Sequence, residues 1–251
     1  KPTRSVLMPT TLVVLGVWLF FPPAEYLMGG KDPGTYINEG IQIAQHGAWT
    51  IPDSTLALLP ADSRALFVSP DIEHLNQGTN FMGFYVLDFD RGTVIGQFPP
   101  AHPAWTAIGY GLGGITGALS AAGFWGLLGV LAVYFASARL VGRVPAFAGA
   151  TLLTINVASV WFARYPNSEL MQQALLFAGL LALARAVGDE DALFGAAAGA
   201  LLGVQLFARI DTLLLLMAIG AGILLQVADG KRPRWSFWLP LAILTGLAGL
   251  Y

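Results

Sequence analysis

Apolar residues fall in long runs along this chain, divided by short polar breaks and by one long polar interval. Residues 5–24 contain no Asp, Glu, Lys or Arg, and further apolar runs cover 103–120, 122–138, 145–162, 169–187, 192–208, 212–228 and 235–251. A helix needs about 20 predominantly apolar residues to cross a bilayer, and these runs approach that length. No alternation of period two marks them as strands of a barrel, so backbone hydrogen bonding in lipid requires them to be helices. The pattern predicts an all-α polytopic membrane protein with about 7–8 transmembrane helices and a large external loop after the first. Its organisation reads as a first transmembrane helix at 1–28, an external loop at 29–101 and a transmembrane helical bundle at 102–251.

The long polar interval has its own pattern. Between 34 and 46, Tyr36, Ile37, Ile41, Ile43 and Ala44 stand among polar residues at helical spacing, which predicts a helix lying in the membrane interface. Two apolar runs flank Asp90, Arg91 and Gly92 within 83–96, the signature of a β-hairpin. The stretch 55–79, with Pro60, Pro70 and Gly78, reads as irregular.

Composition agrees with a membrane class. The chain is 55% hydrophobic and 11% charged, with a mean hydropathy of +0.64, where soluble domains carry about 25% charged residues. With no cysteine in the sequence, disulfides, thiolate nucleophiles and cysteine-ligated metals are excluded. The first run lacks a small-residue cleavage site followed by a soluble domain, so it reads as a retained anchor. The chain starts without Met and stops inside an apolar run, and it reads as the N-terminal part of a longer protein.

Charge sets the orientation. The polar interval holds Asp32, Glu39, Asp53, Asp62, Asp71, Glu73, Asp88 and Asp90 against Lys31, Arg64 and Arg91. The other bases collect at Lys1/Arg4, Arg139/Arg143 and Lys231/Arg232/Arg234. Cytoplasmic loops are enriched in Lys and Arg, so the acidic loop is expected outside and the N-terminus in the cytoplasm. Counting back from the 230–234 loop puts Arg164, Glu169 and Arg209 outside, whereas counting forward through three spans puts Glu169 inside. The 36 residues of 103–138 carry no charge, and a re-entrant or strongly tilted half within them reconciles the two counts. Trp18, Trp105 and Trp161 near span ends read as interface anchors.

Several polar residues stand at the edges of apolar runs, where unpaired charge is costly. Asp32 heads an Asp-Pro-Gly turn and suits the start of a helix. His102 lies in a Pro-rich helix start. Glu169 opens an apolar run where an acid complements the helix dipole, with Arg164 five positions earlier as its candidate partner. Arg209 and Asp211 interrupt two apolar runs and read either as a local ion pair or as an anion site. No phosphate loop, zinc motif, dinucleotide fingerprint or serine-triad pattern is present, and no nucleic-acid partner is expected.

One set of these residues resembles a known superfamily. Asp32 beyond the first run, Tyr36 four positions later, and the closing Gly47, Trp49 and Pro52 resemble the start of the first external loop of the C-type glycosyltransferases. Pro99, Pro100, His102 and Pro103, then Arg164 with Glu169, resemble two later elements of the same enzymes. The resemblance covers 29–215, and its members take a sugar from a polyprenyl-phosphate carrier, as protein mannosyltransferases and aminoarabinose transferases do. It implies Asp32 and Glu169 as catalytic acids, and Tyr36, His102, Arg164 and Arg209 as substrate-binding residues. His102 and Arg209 would meet the carrier's phosphate. A divalent metal, Mg²⁺ or Mn²⁺, stays open as a cofactor, with single acids where family members pair them. The implied setting is the bacterial inner membrane, with a polyprenyl-phosphate-linked sugar and membrane lipids as partners. The alternative is a non-catalytic, transferase-like polytopic subunit bound to other subunits of a respiratory or photosynthetic complex. A secondary transporter would show inverted repeats, and none is visible.

Overall fold

A computed structural model describes residues 3–28, 32–64, 66, 79–81, 83–228 and 233–250. The loop bases Lys31, Lys231 and Arg232 and the acids Asp71 and Glu73 lie outside the described residues. The chain is mostly helical, with one small sheet in the polar interval.

Helix α1, Thr3–Phe20, packs antiparallel to the distal part of α5, Ala101–Val141. Tyr134 donates to Met8 Sδ near one end, and Phe20 lies over Gly126 near the other. Glycines permit this closeness: a Cβ at Gly16 would stand 2.5 Å from a Leu127 methyl. Small residues are the usual means by which apolar helices approach each other.

Helix α5 is a hairpin. Gly113 (φ −147°, ψ 21°) and Gly114 (φ 60°, ψ −147°) leave helical geometry, the second in the left-handed half of conformational space that glycine tolerates. The Trp105 and Trp125 rings lie 5.2 Å apart, although a continuous helix would separate those positions by about 30 Å. Likewise, a Cβ at Gly109 would lie 2.5 Å from the Gly117 carbonyl oxygen. The arm 101–112 is about 18 Å long, too short to cross a bilayer, while 115–141 is about 40 Å. Two spans meeting near 121 are therefore corrected to a short arm folded back on one long helix. The hinge falls at the glycine pair, because the charge-free run carries no other signal for its turn.

Beyond α5 come α6 (Arg143–Ile155), α7 (Val157–Arg164), α8 (Glu169–Gly188) and α9 (Ala192–Val204). A single 3-10 turn, Gln205–Phe207, then leads to α10 (Thr212–Ala228) and α11 (Trp235–Ala248). Among the described residues, α5 and α8 are long and apolar enough to cross a membrane. The pair α6/α7, bent by 59°, adds a third if taken as one span. The helices α1, α9, α10 and α11 are apolar but shorter. The structure thus supports two or three candidate spans by length and composition, fewer than the 7–8 expected.

The bundle has two chemically distinct ends. Ala24 donates its backbone N–H to the Arg164 carbonyl at 2.9 Å, which puts the exits of α1 and α7 together. Glu169 at the start of α8 meets Arg209 beyond α9 at the same end. At the other end Arg139 and Arg185 approach Asp189, and Arg234 pairs with Glu190.

In the polar interval, α2 (Asp32–His46) forms as its periodicity predicts. One face of it is buried in the protein. Ile37 packs with Ala118 and Leu119 of α5, and Gly40 sits against Thr106. The expected hairpin is present as β3 (Phe84–Asp88) and β4 (Thr93–Gly96). Asp88 Oδ1 accepts the Asp90 and Arg91 N–H groups at the turn. Strands β1 (Thr50–Pro52) and β2 (Thr79–Phe81) complete an antiparallel sheet in the order β1-β4-β3-β2. The region expected to be irregular contains two single-turn helices, α3 (Ser54–Ala57) and α4 (Ala61–Arg64), the first capped by the Asp53 carboxylate.

Candidate functional site

A cavity of about 500 Å³ opens where α2, α5 and α8 begin and where the 208–211 connection passes over them. Its wall includes Asp32, Tyr36, Phe98, Asn167, Glu169, Arg209 and Asp211. Asp32 occupies the first turn of α2 and is exposed, with no hydrogen bond or ion pair among the described residues. Tyr36 follows one helical turn later on the same face. Its hydroxyl lies 3.0 Å from Ser168 Oγ, and its ring stacks on Phe98 at 4.1 Å. Burial pushes the phenol up to about 12, so Tyr36 is a neutral hydrogen-bonding group at physiological pH.

The charged part of the wall is organised around Arg209. Its Nη1 donates to Glu169 Oε1 at 2.8 Å, and its Nε and Nη2 donate to the Asp211 carboxylate at 3.1–3.2 Å. The fork of guanidinium donors matches a carboxylate at two points, which makes the Asp211 contact the more specific of the two. That hydrogen bonding holds the Asp211 carboxyl below its ordinary range and raises Arg209 above its own, against a smaller opposing effect of burial. Gln172, one turn into α8 from Glu169, donates to Asp211 Oδ1 and to the Thr212 hydroxyl. Thr212 in turn donates to the Gln205 carbonyl at 3.0 Å, tying the connection to the end of α9.

Two features follow for chemistry. Three carboxylates, Asp32, Glu169 and Asp211, face one guanidinium, so the cavity is acidic. Glu169 Oε2 is inaccessible to solvent and has no hydrogen-bond partner. Among the described residues no group of three or more His, Asp or Glu side chains converges on a point that would hold a metal ion.

Of the six residues singled out in the sequence, Asp32, Tyr36, Glu169 and Arg209 line this cavity. His102 does not. It is fully buried at the start of α5, edge-on to the far side of Tyr36 at 5.0 Å, with neither ring nitrogen hydrogen-bonded. It therefore touches the site only through Tyr36, and the expected direct contact with a phosphate is corrected. Arg164 also stands apart. Its Nε donates to the Pro22 carbonyl at 2.8 Å, and it lines a separate trough beside α7. The expected Arg164–Glu169 pair gives way to Arg209–Glu169, because the turn between α7 and α8 directs the two side chains apart.

Residues not anticipated include Gln172, Ser168 and Glu39. Gln172 was legible as the i+3 neighbour of Glu169 on one helix face. Glu39 was legible as a lone acid among the apolar positions Tyr36, Ile37 and Gly40. Comparison with protein-family models and with curated proteins finds no match for this chain.

Proposed function

We propose that this chain is a membrane glycosyltransferase of the C-type, moving a sugar from a polyprenyl-phosphate donor to an acceptor on the external face of the cytoplasmic membrane. The observation that supports it is the meeting of Asp32, Glu169 and Arg209, from three distant parts of the chain, in one cavity at the end of the bundle away from Arg139, Arg185 and Arg234. This reading requires the shorter apolar helices to cross the membrane as well, with the short arm of α5 left out of the count. Counting α1, the long arm of α5, α6/α7, α8, α9, α10 and α11 as spans gives seven, with the cavity outside and the basic end in the cytoplasm.

In this reading Asp32 is the general base. Exposed and unpaired, it accepts the proton of an acceptor hydroxyl as that oxygen bonds to the anomeric carbon. The carbon–oxygen bond to phosphate breaks, and the polyprenyl phosphate leaves with the electron pair. Tyr36 supplies a neutral hydrogen bond to the sugar, and Arg209 keeps Glu169 and Asp211 in place beside it. The acidic excess opposes a phosphate, so countercharge has to come with the substrate. Among the described residues the lining does not fit a Mg²⁺ or Mn²⁺ ion, since Glu169 Oε2 is closed to solvent and no three carboxylate or imidazole groups converge, and no step is assigned to a metal.

Transfer from a polyprenyl-phosphate sugar into membrane acceptors tests the reading. Asp32→Asn preserves size but not basicity and should lower turnover by about 10²-fold or more. An Asp32→Asn protein with unchanged turnover overturns the base assignment. One observation favours a second reading, that of a non-catalytic transferase-like subunit of a larger membrane complex: Arg209 is already held by two carboxylates, through one N–H on each of its three nitrogens. Absence of transfer by the unaltered protein with every such donor would support it.

A further inference from the structure

A second hollow, of about 360 Å³, lies across Tyr165 from the acidic cavity, between α7 and the extended segment that follows α1. It exists because α6 and α7 bend by 59° at Asn156, whose side chain turns back to cap α7 through the Ala158 and Ser159 N–H groups. The bend tilts an apolar strip outward. Val157 is 82% exposed and Trp161 57% exposed, and both line the hollow with Val160 and Ala24. Aromatic rings form its rim: Tyr26 meets Tyr165 edge-on at 4.7 Å, and Trp161 lies 5.6 Å from Tyr165. Rings of this kind concentrate at the boundary between headgroups and acyl chains.

Arg164 is the charged residue of this lining. Its Nε bond to the Pro22 carbonyl fixes the guanidinium, and its terminal nitrogens donate no hydrogen bond among the described residues. No carboxylate there forms an ion pair with it, in contrast to Arg209 a short distance away. A fixed guanidinium with spare donors, set over an apolar trough with an aromatic rim, matches an anionic headgroup attached to a hydrocarbon chain.

We infer that this trough binds an anionic phospholipid of the surrounding bilayer, with its phosphate on Arg164 and an acyl chain along Val157, Val160 and Trp161. Charge complementarity selects the occupant: a zwitterionic lipid would bring a choline or ethanolamine cation towards the same guanidinium. The inference rests on the membrane-spanning part of the proposed function and not on sugar transfer, so the Asp32→Asn assay can fail without touching it.

Native mass spectrometry of the intact protein, offered phosphatidylglycerol and phosphatidylcholine with identical chains, tests it. Phosphatidylglycerol should be retained about tenfold over phosphatidylcholine. Arg164→Gln should bring the ratio close to one, while Arg164→Lys, which keeps the charge, should hold part of the preference. Brominated-chain phosphatidylglycerol should quench Trp161, read as the difference from Trp161→Phe, whether or not the Arg164 variants fold. Equal retention of the two lipids, a preference unchanged in Arg164→Gln, or no quenching of Trp161 would each overturn the proposal. So would a polyprenyl phosphate displacing phosphatidylglycerol from the trough, since the groove would then belong to the donor.

Discussion

Tyr36 touches two polar clusters that solve the problem of burying charge in opposite ways. Through Ser168 it borders the Arg209, Glu169 and Asp211 network, which is part-exposed and cross-linked by charge-assisted hydrogen bonds. Edge-on to its ring lies His102, and two further buried polar side chains line the same joint of α2: Thr106 of α5 against Gly40, and Glu39 against Gly96 at the end of β4. There Glu39 Oε2, both His102 nitrogens and Thr106 Oγ1 are buried without hydrogen-bond partners. The Glu39 carboxyl presses against Gly96, where a side chain would collide with it. The acid in each cluster takes the ionisation state its surroundings permit. Asp211, facing a guanidinium, is held below the ordinary range, whereas burial alone raises Glu39 to about 8. A carboxylate's charge here is decided less by residue type than by access to water or to a cation.

Glu39→Gln should have the largest effect on this contrast. Folded Glu39 keeps its proton up to about pH 8, while the unfolded chain releases it near 4.5. The folded state therefore binds the extra proton between these values. Its stabilising contribution is complete below 4.5, declines as pH rises and is gone above about 8. The decline amounts to about 5 kcal/mol as an upper bound. Burial is the one cause of the shift, and no charged group among the described residues acts on Glu39. Thermal unfolding in detergent should show the slope in the unaltered protein and its absence in Glu39→Gln. Parallel curves for the two proteins would show that Glu39 is charged in the fold, and the comparison would collapse.

Arg209→Gln probes the opposite cluster and should be next in size. It leaves Glu169 and Asp211 without their cation, at a cost of about 2 kcal/mol near neutral pH, between the values for exposed and buried pairs. Asp211, depressed in the fold, stabilises above its ordinary 3.8 and loses that contribution as pH falls through its lower folded value. The gap between the variant and its parent should therefore narrow in acid, again read by unfolding midpoints. A gap independent of pH would mean that packing, not charge, holds the connection.

Tyr36→Phe should be the smallest, removing one hydrogen bond to Ser168 at about 1 kcal/mol. A loss above about 3 kcal/mol would show that the two clusters communicate through the hydroxyl and are not independent.

Much of the local architecture was legible along the chain. The helix at 32–46, the hairpin turn at Asp90 and Gly92, and the apolar runs depend on side-chain chemistry within a few residues of each position. Charge balance also placed Glu169 and Arg209 at the same end as the acidic loop. Less legible was the path of the charge-free stretch 103–138. Every residue in it is compatible with lipid or with protein, and only contacts such as Trp105 with Trp125 fix where it reverses.

The sequence by itself determined which segments are helical and apolar, the hairpin turn at Asp90 to Gly92, and which acids and bases stand at the edges of the apolar runs. Periodicity and backbone preference act within one or two turns, so they survive without knowledge of the fold. Only the tertiary structure decided that Arg209 and not Arg164 meets Glu169, that His102 lies behind Tyr36, and that Glu39 is sealed under Gly96. Those outcomes depend on which surfaces exclude water from one another. Solvent access and ion pairing over a few ångströms are properties of residues brought together from distant parts of the chain.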